Sequence, residues 1–435
     1  MADPVAVPST EDGSEAKIVA VYKGANNTVT AAQSSADALA AVRKDIADVL
    51  NSKNLAFLFG SGCSSARNDK DEELGVPTMQ PMATAFLSDR SGKYRATKTD
   101  RTRLRNSLGL NLDDQIFREN LEALMEVLYG YQFALRTSEK PAMQAICKVV
   151  EKVINNIRGY ILDVCTNGRF NNGDSTVLGT YQQFYRRLIQ RDRALARPWV
   201  FTLNYDLFSE TAMDRLGIPY INGFLGSIER RFNPAAFRYS LSEQLDTSSR
   251  KWSSVDSLVY FAKLHGSVSW ESREDGLFPV VETAPRLLTA DRLLIYPTPS
   301  KQNASFASPY SDMFREFQTR VARDQSVLIS LGYSFGDEHV NNIIFQALTI
   351  PTFRLVAFVD PSANETVKRL RALNDPRIWI IGTEERGADW KGHYFASFVE
   401  DFMSAESAND ADKAIENVLM ELLKRSGNDK NSDDE

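Results

Sequence analysis

A series of short apolar runs, each breaking into polar or small residues near its C-terminal end, constrains this chain more than any other feature. The runs begin at Leu55, Pro198, Leu258, Leu293, Val327, Phe353 and Ile378. Unbroken apolar stretches of this length read as strands buried on both faces of a parallel sheet. Helical patterns separate most of them, among them Tyr310 to Arg323, Glu338 to Leu348 and Asn364 to Leu373. The alternation predicts an α/β fold with a doubly wound parallel sheet.

Between the first two runs lie long amphipathic patterns, Gln115 to Leu135, Pro141 to Cys165 and Thr176 to Arg191. They predict a helical lobe inserted at about residues 101–195 of a Rossmann-like domain spanning 36–409, a common setting for a ligand cleft. Residues 1–35 read as a flexible N-terminal arm and 410–435 as a helix, Asp410 to Lys424, with an acidic tail. At 435 residues and 43% hydrophobic content the chain can bury a sizeable core.

The net charge of −6 argues against whole-protein attraction to nucleic acid or anionic membrane. A basic stretch from Arg90 to Arg105 holds few stacking aromatics, Tyr94 excepted, and reads as a solvated loop and helix start. No apolar run approaches the ~20 residues needed to span a bilayer, and the N-terminus lacks a signal pattern, so the chain reads as cytoplasmic. Three isolated cysteines, Cys63, Cys147 and Cys165, do not make a disulfide framework or a cysteine-built zinc site.

The strand ends carry the chemistry, because open α/β sheets bind ligands there. They are Gly60-Ser61-Gly62-Cys63-Ser64, Thr202-Leu203-Asn204-Tyr205-Asp206, His265-Gly266-Ser267, Gly332-Tyr333-Ser334 and Asp360. The glycines of the first turn allow positive φ and close approach of a phosphate, with free N–H groups and a following helix N-terminus facing the anion. Singly, each group has an ordinary explanation: Asn204, Asp206 and Ser334 as helix caps, His265-Gly266 as a turn, Asp360 as a turn opener. Their joint placement on successive strand ends is harder to explain that way. Of the remaining histidines, His339 reads as helix surface and His393 as a turn or core residue.

In this order the motifs resemble the sirtuin-like family, whose members carry G-A-G-x-S, T-Q-N-x-D, H-G and G-x-S at strand ends. The resemblance covers about Ala36 to Trp390 and implies NAD as substrate. It implies that Gly60, Ser61, Gly62, Cys63 and Ser64 hold the diphosphate, with Gly332, Ser334, Thr202 and Asp360 lining the nucleotide site. Asn204 would hold the nicotinamide ribose and the attacking water, Asp206 the carboxamide, and His265 would be the base. The residue types suit that chemistry. Breaking the nicotinamide–ribose bond leaves an oxocarbenium-like sugar, which needs oriented dipoles, a placed water and a base titrating near neutrality.

The departures from the family narrow the reading. No four-cysteine zinc module follows His265, the G-I-P-D-F-R segment is reduced to Gly75-Val76-Pro77-Thr78-Met79-Gln80, and Leu203 replaces the Gln. These changes argue against an acyl-lysine groove while keeping the NAD-splitting core. The combination resembles sirtuin-like NAD hydrolases of bacterial antiphage defence, and most of all the subunit that works beside a HerA-like hexameric ATPase. The resemblance implies an NAD glycohydrolase without zinc, active in an assembly and forming a homo-oligomer. Its rivals are a deacylase or ADP-ribosyltransferase on the same core, and a subunit that binds NAD without turnover.

Overall fold

The computed structural model describes residues 18–29, 34–68, 72–167, 175–246, 251–273, 279–285, 293–295, 308–384 and 390–403. The expected C-terminal helix, Asp410 to Lys424, lies outside these.

The expected strands form an eight-stranded sheet that is parallel except at one edge. Its first members are β1 (Ala20–Lys23) and, after helix α1 (Ser35–Leu50), β2 (Asn54–Phe59). The N-terminal arm therefore ends earlier than residue 35. Ala20–Lys23 pairs antiparallel with the far strand β17 (Ile378–Gly382), and Val19 to Tyr22 are buried there. Lys23 fixes this edge through Asp45 of α1 at 2.6 Å and by lying over the Trp379 ring.

A small hairpin, β3 (Ser65–Arg67) and β4 (Glu73–Gly75), follows β2. The helical lobe then starts near Met79 rather than near residue 101: α2 (Met79–Ser88), α3 (Lys98–Leu108), α4 (Gln115–Glu119), α5 (Leu121–Arg136), α6 (Pro141–Asn167) and α7 (Thr176–Leu188). The pattern from Gln115 breaks into two helices at Asn120, whose side chain accepts from the N–H groups of Glu122 and Ala123 and caps the second. In the basic stretch, Arg90 and Arg101 converge with Arg118 on Asp113, so part of its charge is spent within the lobe.

The chain re-enters the sheet at β5 (Trp199–Thr202) and continues through α8 (Phe208–Leu216), β6 (Tyr220–Ile221), β7 (Phe224–Leu225), β8 (Arg230–Phe232) and the hairpin β9 (Ser242–Asp246) and β10 (Lys251–Ser254). The run predicted from Leu258 to Ser267 as one strand is two. β11 (Val259–Lys263) belongs to the central sheet, whereas β12 (Gly266–Ser272) opens a separate five-stranded antiparallel sheet with β13 (Val280–Glu282), β14 (Leu293–Ile295), β7 and β8. Gly266, at φ +93°, makes the corner where the chain changes sheets. Phe224, Phe232 and Trp270 pack as the core of the second sheet.

The last units are α9 (Tyr310–Val321), β15 (Ser326–Leu331), α10 (Glu338–Leu348), β16 (Arg354–Phe358), α11 (Glu365–Ala372), β17 and a short α12 (Phe395–Ser397). Alternate residues of β2 separate two cores, as the period of a strand requires. Leu55, Phe57 and Phe59 face α1, α7 and α12, while Ala56 and Leu58 face the side covered by α9, α10 and α11. The central sheet runs β1-β17-β16-β15-β2-β5-β11-β6. From β2 the chain builds outward on one side through β5 and β11, then crosses to build β15, β16 and β17 on the other. The β2/β15 junction is therefore the topological switch point, where such sheets open a crevice at their C-terminal ends.

Candidate functional site

At that switch point two turns meet backbone to backbone. β2 ends in a single 3₁₀ turn, Ser61–Cys63, and β15 ends in Gly332 at φ +60°. A Cβ on Gly60 would lie 2.4 Å from the Gly332 carbonyl oxygen, and one on Gly332 would lie 2.4 Å from the Cys63 nitrogen. The glycines of the first turn are thus required by close approach rather than by positive φ, which neither Gly60 nor Gly62 adopts.

The expected cradle of free N–H groups is also not what forms. Gly60 N donates to Leu331 O, Gly62 N to Gly332 O, Cys63 N to Gly60 O and Ser64 N to Ser61 O. No long helix begins at this turn, because the chain goes straight into the β3–β4 hairpin. What the junction offers a ligand is a narrow backbone floor flanked by Ser61 and Ser334.

Two adjoining cavities open over this floor, of about 360 Å³ and about 590 Å³. They share Ser61, Met79, Glu119, Gly332, Tyr333 and Ser334. Gly60, Ser64, Asn204, Asp206 and His265 line the first; Gly62, Asp360 and His393 line the second. Sequence reasoning also placed Cys63 and Thr202 in the site, but neither lines these two cavities. Cys63 is buried with Sγ on the Leu331 carbonyl at 3.2 Å, and burial pushes its thiol up. Thr202 stands behind the wall, its hydroxyl accepting from Asn204 N at 3.0 Å. His339 is exposed on its helix, as expected.

The first cavity gathers the reactive groups. Asn204 Nδ2 donates to the Gly60 carbonyl at 2.9 Å and to Ser64 Oγ at 2.8 Å, which ties the end of β5 to the glycine turn. Both amide hydrogens are then spent, and Oδ1 remains as the acceptor of this side chain. Asp206 Oδ1 accepts from Phe208 N at 3.1 Å, so it holds the first residue of α8 while lining the cavity. His265 sits where the chain changes sheets, with Nε2 3.1 Å from Asp337 Oδ2.

Asp337 is the residue that sequence reasoning missed. It is the N-cap of α10, its Oδ1 accepting from His339 N at 2.8 Å and Val340 N at 3.0 Å. Burial works to raise this carboxyl, but the His265 contact and the two N–H donors outweigh it and hold the group well below the usual carboxylate range. An anionic Asp337 against Nε2 orients the His265 ring. The available signal was an Asp just before a helical pattern, one residue past the Gly332–Gly336 turn.

That turn is rigidly built. Phe335 is held at φ +59°, a conformation that costs a non-glycine residue energy. Asn341 donates to the Phe335 carbonyl at 2.9 Å and accepts from the Tyr333 hydroxyl at 2.9 Å. Across the cavity the lobe contributes Met82, Asn120, Glu122 and Cys165 to the wall, and the Tyr205 hydroxyl donates to Glu122 at 2.8 Å.

Among the described residues no group of three or more His, Cys, Asp and Glu side chains could hold a metal ion. No helix among them is long and apolar enough to cross a membrane.

A mostly parallel α/β sheet with a polar crevice at its switch point is the architecture of a nucleotide-binding domain. Residues 198–381 match the SIR2-like domain, which supports a sirtuin-like family and NAD-dependent activity in general. The match runs from β5 to β17 and takes in Asn204, Asp206, His265, Gly332, Ser334, Asp337 and Asp360. It leaves out β2, although β2 sits in the sheet between β15 and β5. No curated protein matches the chain.

Proposed function

We propose that the chain is an NAD glycohydrolase that cleaves NAD to nicotinamide and ADP-ribose. The observation that carries this reading is the convergence of the His265–Asp337 pair and the oriented Asn204 amide on one cavity, which joins a second cavity ending at Asp360. A molecule of two nucleoside halves joined by a diphosphate suits such a pair of cavities. Its diphosphate would lie at the shared neck beside Ser61 and Ser334, its adenosine half toward Asp360, and its nicotinamide half toward Asp206.

In the reaction, the bond between ribose C1′ and the nicotinamide nitrogen breaks, the electron pair leaves with nicotinamide, and a water oxygen bonds to C1′. Asn204 Oδ1 supplies an acceptor for that water. His265, with Asp337 behind it, takes up the proton released or accepts from a ribose hydroxyl as positive charge grows on the sugar. A pure binder would not need this pair. The lobe walls the reactive cavity with Met82, Asn120, Glu122 and Cys165, which favours water over a peptide side chain as the acceptor.

The antiphage role, the cytoplasmic setting, homo-oligomerisation and pairing with a HerA-like ATPase rest on the resemblance of the motifs. Activation in an assembly fits a protein that would otherwise exhaust its host's NAD. The test is to incubate the purified protein with NAD, alone and with such an ATPase, and to measure nicotinamide. Release of nicotinamide and ADP-ribose is expected. Turnover only with an acyl-lysine peptide would replace hydrolysis with deacylation, and NAD binding without any product would make the chain a sensor. Elemental analysis should find no stoichiometric zinc, since the three cysteines are separate and buried.

A further inference from the structure

Beneath the reactive cavity lies a buried ion pair that the reaction does not touch. Lys263 closes β11 two residues before His265 and is 2% exposed. Its ammonium donates to the main-chain carbonyl of Asp206, and to Glu210 Oε1 at 2.9 Å. Glu210 lies in the first turn of α8, and its Oε2 is buried with no hydrogen-bond partner among the described residues.

Burying an ammium-type charge is expensive unless it is paired and hydrogen-bonded. Joining β11 to β5 does not require one. The ladder already pairs Ala262 with Phe201 and Lys263 with Thr202, and Leu264 N donates to Thr202 O at 2.8 Å. Beyond the ladder lies the turn Leu203 to Leu207, which carries Asn204 and Asp206 and is tied to the end of β2 and its glycine turn by Leu203 N and the Asn204 amide and to the lobe by Tyr205. The histidine segment reaches that turn through the main-chain bond from Val268 N to Tyr205 O at 3.0 Å and through the Lys263 side chain.

We propose that Lys263 is a positioning residue, its ammonium fixing the Asn204–Asp206 turn against the His265 segment with Glu210 as counter-charge. This rests on the NAD-hydrolase reading for its kinetic consequence but not for its structural one. Without Lys263 the turn shifts relative to His265, and a misplacement of about 1 Å can cost roughly a hundredfold in rate.

The experiment compares Lys263→Met, Glu210→Gln and the double variant Lys263→Met/Glu210→Leu. An apolar pair in place of a buried ion pair is often neutral or stabilising, so the double variant keeps the test open if Lys263→Met alone fails to fold. With nicotinamide release as readout, Lys263→Met and the double variant should lose roughly ten- to a hundredfold in kcat with little change in KM. Glu210→Gln, which leaves the ammonium on Asp206, should lose much less. In parallel, hydrogen exchange at the Phe208 amide, which the Asp206 side chain accepts, should speed up in the folded double variant. A folded double variant with wild-type kcat and wild-type exchange overturns the proposal. If the wild-type chain releases no nicotinamide in any assembly, the hydrolase reading fails, and exchange at Phe208 alone decides whether Lys263 positions the turn.

Discussion

Two quarters of the same crevice are built by opposite means. At the β2/β15 junction, Gly60, Gly62 and Gly332 bring main chain against main chain, and the floor is made almost without side chains. At the β5/β11 quarter, side chains set the geometry: Asn204 on Ser64, Lys263 on Asp206, His265 beside Asp337. The first quarter has no space to give, so any added Cβ acts on the fold. The second has replaceable parts, so most changes there act on chemistry and leave the fold standing.

The largest effect should come from breaking the first quarter. Gly332→Val forces a branched residue to φ +60° with its Cβ 2.4 Å from the Cys63 nitrogen. That nitrogen and the Gly62 carbonyl carbon, 2.7 Å from the same Cβ, are main-chain atoms, so the cost should be about 3 kcal/mol or more, by overpacking and backbone strain together. Gly62→Val is less severe, its Cβ meeting Gly332 Cα at 3.0 Å, and it cannot be treated as a change in ligand affinity alone. Denaturant melts check the order. A Gly332→Val protein of native stability would show that the two turns are not in contact in solution.

In the second quarter, His265→Ala and Asn204→Ala should each cut NAD turnover by roughly two orders of magnitude or more with native melting behaviour. Because both act on one ribose and one water, the double variant should be little worse than either. Asp337→Asn should lose less, roughly ten- to a hundredfold, since it removes the charge behind His265 but keeps a cap on α10. Additive losses in the double variant, measured by nicotinamide release, would assign Asn204 and His265 to separate steps.

The contrast also explains what the sequence made legible. Apolar runs that end in polar residues are local patterns, so the parallel sheet and the positions of Asn204, Asp206 and His265 could be read directly. The second sheet could not, because β7 and β8 hold only two and three residues, and β12, which supplies Trp270, continues the run of β11. The corner at Gly266 that divides them is one residue. Asp337 carried only an ordinary helix-cap signal; its tie to His265 is a contact across 72 positions. The reason for the glycines was misread for the same cause, since the approach of Gly332 to Gly60 is a tertiary event that mimics the local signature of a phosphate loop.

A third expectation separates charge from chemistry within the second quarter. Burial raises the Glu210 carboxyl to about 7 against the opposing pull of Lys263, with the Glu282 carboxyl adding to the rise. The unfolded chain releases this proton in the ordinary carboxylate range, so between that range and about pH 7 the folded state binds more protons. This contribution is fully present below the unfolded value and is lost as pH rises through about 7. Glu210→Gln should therefore flatten the stability curve between about pH 4.5 and 8, while Asp337, held low, contributes the opposite slope at more acidic pH. Denaturant melts across that range are the measurement, and equal slopes in both proteins would exclude Glu210 as the source.

The smallest effect should come from the contact that joins the second quarter to the helical lobe. Tyr205 stands between Asn204 and Asp206, and its hydroxyl donates to Glu122 at 2.8 Å, in the first turn of α5. Burial raises this phenol, and the Glu122 carboxylate raises it further, so it stays a donor throughout the physiological range. Glu122 is only half-buried and can be hydrated when the hydroxyl is removed. Tyr205→Phe should then cost about 1.5 kcal/mol, the lower end for a bond to a charged partner. Its kinetic signature sharpens the comparison. If the lobe merely walls the cavity, KM for NAD rises a few-fold and kcat is unchanged. If the lobe helps set the Asn204–Asp206 turn, kcat falls with it, and Tyr205→Phe combined with Lys263→Met should lose more than the two losses multiplied, because both side chains would hold the same five-residue turn.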